Sequence, residues 1–223
     1  RQDLIDACPG LKIIGRGGVG MDNIDVEYAR EKGLSVINTP AASSESVAEL
    51  VFAHLFSGVR FLYDSNKTMP LEGESKFKNL KKAYAKGTEL RGKTLGVIGF
   101  GRIGQATAKM ALGLGMKVIA FDPFLEKTTL SLSFYDGQTV DFEIKTVSKE
   151  AVLKESDFIT LHVPAQKDFV IGKPEFDLMK DGAALVNAAR GGVVNEVALV
   201  EALDSNKLSF AGLDTFENEP SPA

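Results

Sequence analysis

Apolar residues fall into two rhythms along this chain. From Thr94 onward, short apolar runs alternate with stretches in which apolar residues recur every three or four positions. Runs of the first kind read as buried strands, and stretches of the second as amphipathic helices. The pattern predicts strands at 94–98, 117–121, 157–162, 183–187 and 209–213. It predicts helices at about 102–114, 148–155, 174–180 and 195–204. This alternation implies a parallel sheet covered on both faces. One interval breaks it. Between 128 and 147, apolar and polar residues alternate singly around Asp136-Gly137, which predicts a β-hairpin.

The earlier part repeats the alternation on a smaller scale. Residues 3–7 suit a helix end closed by Pro9-Gly10, and 11–14 a short strand. A glycine-rich loop spans 15–20. A helix at 26–32 ends at Gly33, and a strand at 34–38 closes at Thr39-Pro40. Ser43 or Ser44 can cap a long helix whose apolar stripe is Val47, Leu50, Val51, Leu55 and Val59. His54 shares that stripe, which predicts a packed core histidine. The helix runs to about residue 66. Residues 67–91 are polar and lysine-rich, and read as an extended arm with short helical pieces.

Composition narrows the classes. At 223 residues the chain makes one large domain or two modest ones. Its 44% hydrophobic and 25% charged content is that of a globular protein. A net charge of −4 gives no electrostatic case for nucleic acid. No apolar run reaches the roughly 18 residues of a membrane span. No signal peptide is visible, although the first residue is Arg1, so a start has been removed or is not seen. A single cysteine, Cys8, excludes an internal disulfide and fits a reducing, cytoplasmic compartment. It is expected as a packed small hydrophobe. With His54 and His162 the only histidines, no metal site is expected.

The candidate chemistry begins where the strand at 94–98 meets Gly99-x-Gly101-x-x-Gly104. Gly99 allows a tight turn, Gly101 lets backbone approach a pyrophosphate, and Gly104 lets the helix pack on the sheet. The helix N-terminus offers N–H groups and a positive dipole end to phosphates. Such glycines also occur in ordinary βα turns. Here Asp122 ends the next strand, where its carboxylate can accept ribose hydroxyls and repel a 2′-phosphate. NAD is expected over NADP.

Further motifs extend the picture: Leu11-Lys-Ile-Ile-Gly-Arg-Gly-Gly-Val-Gly20, Val36-Ile-Asn-Thr-Pro40, Ser46-Val-Ala-Glu49, Asp157-Phe-Ile-Thr-Leu-His-Val-Pro164, Val186-Asn-Ala-Ala-Arg-Gly-Gly192 and Ala211-Gly-Leu-Asp-Thr-Phe-Glu-Asn-Glu-Pro220. With the glycine motif, they resemble the D-2-hydroxyacid dehydrogenase family in the family's own order, most closely its phosphoglycerate dehydrogenases. The resemblance implies an α/β fold. This has a Rossmann-type doubly wound parallel sheet plus part of a second, smaller flavodoxin-like substrate domain. Residues 1–40 match part of the substrate domain. Residues 41–223 match the NAD-binding domain, with a crossover helix at about 44–66 and an arm at about 67–91. The family's general acid is a histidine beyond the Glu-x-Glu-Pro segment, and neither His54 nor His162 matches it. The chain is therefore expected to be a fragment, or to have flanking residues outside this sequence.

The resemblance also assigns roles. Arg190 matches the catalytic arginine, whose planar fork can grip a carboxylate and a carbonyl oxygen together. Glu219 matches the acid that pairs with the histidine and raises its pKa. Cofactor contacts fall to Gly99, Gly101, Arg102, Ile103, Gly104 and Asp122, and to His162, Val163 and Pro164 on the adenosine side. Ala188 belongs to the same set, and Asp214 to the nicotinamide carboxamide. A satisfied strand-end histidine is the alternative for His162. Gly18, Val19 and Gly20 match a substrate-carboxylate cradle. Arg16 matches a phosphate-binding position, with a surface ion pair the alternative. The implied activity is NAD-dependent oxidation of a D-2-hydroxy acid, with 3-phosphoglycerate, a precursor in serine biosynthesis, as leading substrate. Glyoxylate or hydroxypyruvate reduction and a non-catalytic NAD sensor are the alternatives. A homodimer through the crossover helix and arm is implied. Two features depart from the family: Asn195 stands where members often have Asp, and the 128–147 stretch is longer than usual.

Overall fold

The computed structural model describes residues 2–219; Pro220, the last residue of the motif that begins at Ala211, lies outside them. The chain forms two compact units, one ending at Ser46 and the other beginning at Val47.

In the first unit, α1 (Gln2–Asp6), β1 (Ile13–Arg16), α2 (Val26–Glu31) and β2 (Ser35–Asn38) follow in order. The two strands pair in parallel, Ile13 opposite Ser35 and Arg16 opposite Asn38. Ile5, Ala29 and Leu34 form the small core, with Ile14, Tyr28 and Val36 packed on it. Asp25 caps α2 by accepting from the Tyr28 amide at 3.1 Å. Cys8 is exposed rather than packed. The turn that follows α1, with the Cys8 amide on the Ile5 carbonyl, carries it outward.

The helix α3 (Ser44–Val59) leads into the second unit, followed by α4 (Leu62–Tyr84). The expected single helix to about residue 66 is broken at Phe61, which adopts the left-handed conformation at φ 55°. His54 is half-buried, with its side chain packed against Gly212. The arm is a correction to the extended reading: it is helical throughout α4, with a kink at Lys76. Thr68 and Tyr84 would lie about 24 Å apart along a straight helix. Their hydroxyls are 2.6 Å apart, and the Phe61 and Tyr84 rings meet at a tilt of 39° with centroids 6.1 Å apart. The arm is thus a helical hairpin folded at Lys76.

The rest of this unit reads β3 (Thr94–Ile98), α5 (Arg102–Gly113), β4 (Lys117–Phe121), β5 (Lys127–Ser133), β6 (Thr139–Lys145), α6 (Lys149–Glu155), β7 (Phe158–Leu161), α7 (Lys173–Leu178), β8 (Ala183–Asn187), α8 (Glu196–Asp204) and β9 (Leu208–Leu213). Five parallel strands make one sheet in the order β4-β3-β7-β8-β9. Alternate residues of its strands feed opposite cores. Leu95 and Val97 join Val51, Leu55, Ala108 and Ala111 on one face. Ile98, Ile159 and Leu161 join Val152, Phe176 and Leu199 on the other. This two-sided burial is why the strands are continuous apolar runs.

The hairpin stands where the sequence predicted it. Leu130 pairs with Phe142, and Leu130 and Ile144 are buried against the α5 side of the sheet. Beyond β6 the chain runs beside β4, where Thr146 bridges Ala120. The β4 edge is covered there, closing a site where another strand could pair.

Because β4 and β7 lie on opposite sides of β3, the strand order reverses between β3 and β7. Ligands of open α/β sheets bind at such a switch point, outside the carboxyl ends of the strands.

Candidate active site and cofactor cleft

At the end of β3 the chain turns through Gly99 at φ 90°, a conformation that disfavours any side chain. A Cβ at Gly99 would also sit 2.5 Å from the His162 carbonyl oxygen, and one at Gly104 would sit 2.2 Å from the Gly99 carbonyl oxygen. Both glycines therefore let the turn and α5 close onto the sheet. Gly101 differs, with open space around its Cβ position. It is the N-cap of α5, and no side chain caps the helix there. The first amides of the helix, including those of Arg102 and Ile103, are left for a ligand.

Asp122 holds this turn. Its Oδ2 accepts from the Phe100 amide at 2.8 Å, and its Oδ1 from the Phe124 amide at 2.9 Å. Each carboxylate oxygen has two lone pairs, so each can take one further donor such as a ribose hydroxyl.

His162 leaves the end of β7. Its Nε2 lies 3.1 Å from the Thr160 hydroxyl and 3.2 Å from that of Thr107. The Thr107 hydroxyl donates to the Ile103 carbonyl at 2.9 Å, so towards the imidazole it can only accept. Nε2 therefore carries the hydrogen. Burial pushes the imidazole pKa down from 6.5 to about 4, keeping it neutral. Nδ1 is buried with no hydrogen-bond partner among the described residues. Val163 is half-buried and Pro164 is exposed.

The loop after β8 carries Arg190. Asn187, 2% exposed, organises it. Its Nδ2 donates to the Arg190 carbonyl at 3.0 Å, and its Oδ1 accepts from the Ala189 amide at 3.1 Å. Its own carbonyl accepts from the Asp214 amide at 3.0 Å. Arg190 is half-buried, with Nη1 on the Ala189 carbonyl at 2.7 Å. Ala188 packs against the core beneath. Asp214 is exposed just past β9. The Glu219 carboxylate folds back onto the Phe216 amide at 2.6 Å. Beside Arg190, a cavity of about 340 Å³ is lined by Gly191, Gly192, Phe216, Glu217, Asn218 and Glu219.

In the first unit, the glycine loop is more committed than the sequence implies. The Gly18 amide donates to the Thr39 hydroxyl at 2.8 Å. The Val19 carbonyl accepts from Asn38 Nδ2 at 2.8 Å. Arg16 Nε donates to the Gly20 carbonyl at 3.2 Å, laying the exposed guanidinium over Gly18. Gly18 itself is thus not a free donor, and an anion there would meet Val19 and Gly20.

The structure brings the glycine turn, Asp122, His162, Arg190, Asp214 and Glu219 to the carboxyl-end side of one sheet, following β3, β4, β7, β8 and β9. Sequence reasoning missed Thr107, Thr160, Asn187, Glu196 and Glu217. An asparagine closing the buried run at 183–187 was the signal for Asn187, since a buried amide must find partners. The threonines carried no comparable signal. Among the described residues, no group of three or more His, Cys, Asp or Glu is placed to hold a metal. No helix there is long and apolar enough to cross a membrane.

The site's observations fit a dinucleotide. An uncapped helix start, open space at Gly101 and an acid with free lone pairs at the strand end are what its pyrophosphate and ribose require. The model of the D-isomer specific 2-hydroxyacid dehydrogenase NAD-binding domain matches residues 52–223, and the chain belongs to that family. It is 47% identical over 220 residues to a hydroxypyruvate reductase of Thermotoga maritima, covering 98% of this chain and 66% of that protein. It is 44% identical over 221 residues to a D-3-phosphoglycerate dehydrogenase of Methanocaldococcus jannaschii, covering 98% of this chain and 40% of that protein. Among solved structures, the holo D-mandelate dehydrogenase of Rhodotorula graminis superposes with a TM-score of 0.84 at 28% identity, covering 100% of this chain and 64% of that one. The chain thus spans about two fifths to about two thirds of the length of the relatives it matches.

Proposed function

We propose that this chain is the NAD-binding and arginine-bearing part of an NAD-dependent D-2-hydroxyacid dehydrogenase, acting on 3-phosphoglycerate in serine biosynthesis. The observation that carries the reading is Arg190. It stands past the end of β8, on a loop fixed by buried Asn187, on the same sheet edge as the uncapped α5. When bound, the nicotinamide supplies or accepts the hydride. The residues of this chain do the rest. Arg190 polarises the substrate carbonyl and orients the neighbouring carboxylate, stabilising charge that develops on oxygen. In the first unit, the Val19 and Gly20 amides form an anion cradle suited to a carboxylate. Arg16 takes the substrate phosphate. Glu219 releases the Phe216 amide to orient the proton-carrying histidine that family members place beyond this segment.

A second reading, reduction of hydroxypyruvate, is favoured by the 47% identical relative. It needs no phosphate contact, and Arg16 then serves only its own loop. A non-catalytic NAD sensor is disfavoured by the presence of both Arg190 and Glu219. The protein acts in the cytoplasm as a homodimer joined through the helical hairpin of α4, which has no buried residue of its own.

The test is NADH oxidation by the full-length protein with phosphohydroxypyruvate, hydroxypyruvate, glyoxylate and pyruvate. The highest kcat/KM on phosphohydroxypyruvate supports the first reading, and equal rates on hydroxypyruvate the second. NADH binding without turnover on any of them would overturn both.

A further inference from the structure

Glu196 opens α8 and Glu217 lies in the loop after β9, and each side chain holds the other's backbone. The Glu196 amide donates to Glu217 Oε1 at 2.8 Å. The Glu217 amide donates to Glu196 Oε1 at 2.5 Å. The pattern resembles a capping box, but it joins residues 21 positions apart. Helix initiation does not require it, because Asn195 already caps α8 through the Ala198 amide at 2.9 Å.

The clasp is one of three ties between the same two loops. The Asp214 amide on the Asn187 carbonyl is the second. The third is a backbone contact: a Cβ at Gly191 would sit 1.9 Å from the Phe216 carbonyl oxygen. Arg190 lies between the first and last residues of this seam on one loop. Glu219 stands just past Glu217 on the other, with its carboxylate on Phe216. Without the clasp, the ties described between the Phe216–Glu219 turn and the Arg190 loop are the bond at its Asp214 end and the van der Waals contact at Gly191.

We propose that Glu217 and Glu196 are positioning residues, which set the separation of Arg190 and Glu219 by locking the two loops together. Their carboxylates act as hydrogen-bond acceptors for backbone, not as acids or bases. The inference rests on the functional reading of Arg190 given above. Small displacements in such a constellation are costly: about 1 Å can lower the rate by roughly a hundredfold.

The experiment compares Glu217→Ala, Glu217→Gln, Glu196→Ala and Gly191→Ala with the parent in the full-length protein. It reads kcat and KM for the preferred keto acid, NADH affinity by fluorescence, and Tm. Glu217→Ala and Glu196→Ala should lose roughly a hundredfold in kcat, with NADH affinity near the parent's. Glu217→Gln keeps an oxygen for the Glu196 amide and should recover most of the rate. Gly191→Ala forces the loops apart while leaving both carboxylates, and should show the same fall in kcat if it folds. A lowered Tm with unchanged kcat in the alanine variants would make the clasp purely structural and overturn the proposal. So would a Gln variant as slow as Ala, because the charge would then matter. Arg190→Ala is the control. If it keeps full turnover, the functional reading fails whatever the clasp does. If it is inactive while both clasp alanines are normal, only the positioning role fails.

Discussion

The Asp122 carboxylate reaches back across the sheet end to the amide of Phe100, 2.8 Å away, inside the glycine turn. One side chain therefore shapes the glycine turn and still has lone pairs for a further donor, the role proposed for it toward the adenosine ribose. Asp122→Ala leaves the Phe100 and Phe124 amides without their acceptor. The loss of hydrogen bonds to a charged group should cost about 2–4 kcal/mol of stability, read from urea unfolding. NAD affinity should fall as well. Asp122→Asn keeps an acceptor but removes the charge that repels a 2′-phosphate, so NADP affinity should rise relative to NAD. An unchanged cofactor preference, measured by fluorescence titration with both reduced dinucleotides, would remove Asp122 from the ribose site.

Arg190 is held from behind by its own loop, with Asn187 bonded to its carbonyl at 3.0 Å. Arg190→Ala therefore removes the guanidinium and its bond to the Ala189 carbonyl, while Asn187 still holds the loop backbone. Turnover should fall by about a hundredfold to a thousandfold, the loss typical of one donor to a developing oxyanion. NADH affinity and Tm should stay close to the parent's. Arg190→Lys keeps the charge but not the planar fork and should recover little of the rate. Steady-state kinetics beside NADH titration separates these effects.

His162 links pH to stability. Its pKa is about 4 in the folded chain against 6.5 for an ordinary imidazole. Below pH 6.5 the unfolded chain takes up a proton at this residue, and the folded chain resists until about pH 4. Stability should therefore fall as pH drops through that window, by up to about 3 kcal/mol. Above it the residue contributes no pH dependence. His162→Gln can still donate to Thr107 and takes up no proton, so it should flatten this part of the curve. Urea midpoints between pH 4 and 7 for both proteins would check the sign. Imidazole ¹⁵N shifts should report the hydrogen on Nε2, as the Thr107 bond to Ile103 requires.

Periodicity resolved the sheet unit well because its signals are local. The run at 183–187 is buried at every position, and Ala183–Asn187 is the observed β8. Asp136-Gly137 marks a turn by its own backbone preference, and Gly137 has φ 87°. The helical arm is hidden from periodicity for the opposite reason. Its Lys-rich sequence lacks an apolar stripe, but lysine and glutamate are good helix formers whatever they pack against. The site was legible only in part. Gly99, Asp122 and Arg190 sit in motifs whose chemistry can be argued residue by residue. The partners that hold them are long-range, as with Thr107 on His162 and Glu196 on Glu217. Spacing along the chain contains no trace of either pairing.

The helical hairpin of α4 leaves Leu71 82%, Tyr63 70% and Phe77 53% exposed. Within the chain, the hairpin is closed by the Thr68–Tyr84 hydroxyl pair and the Phe61–Tyr84 rings rather than by these side chains. In the proposed dimer these side chains are buried against the second copy, so charge placed on them should cost association before folding. Leu71→Glu with Phe77→Glu should convert the proposed dimer to a monomer in light scattering. Tyr84→Phe should leave the dimer intact while lowering Tm slightly, because only the internal hydroxyl contact is lost. A double variant that stays dimeric would place the interface elsewhere. A parent protein that is monomeric at micromolar concentration would remove the dimer altogether.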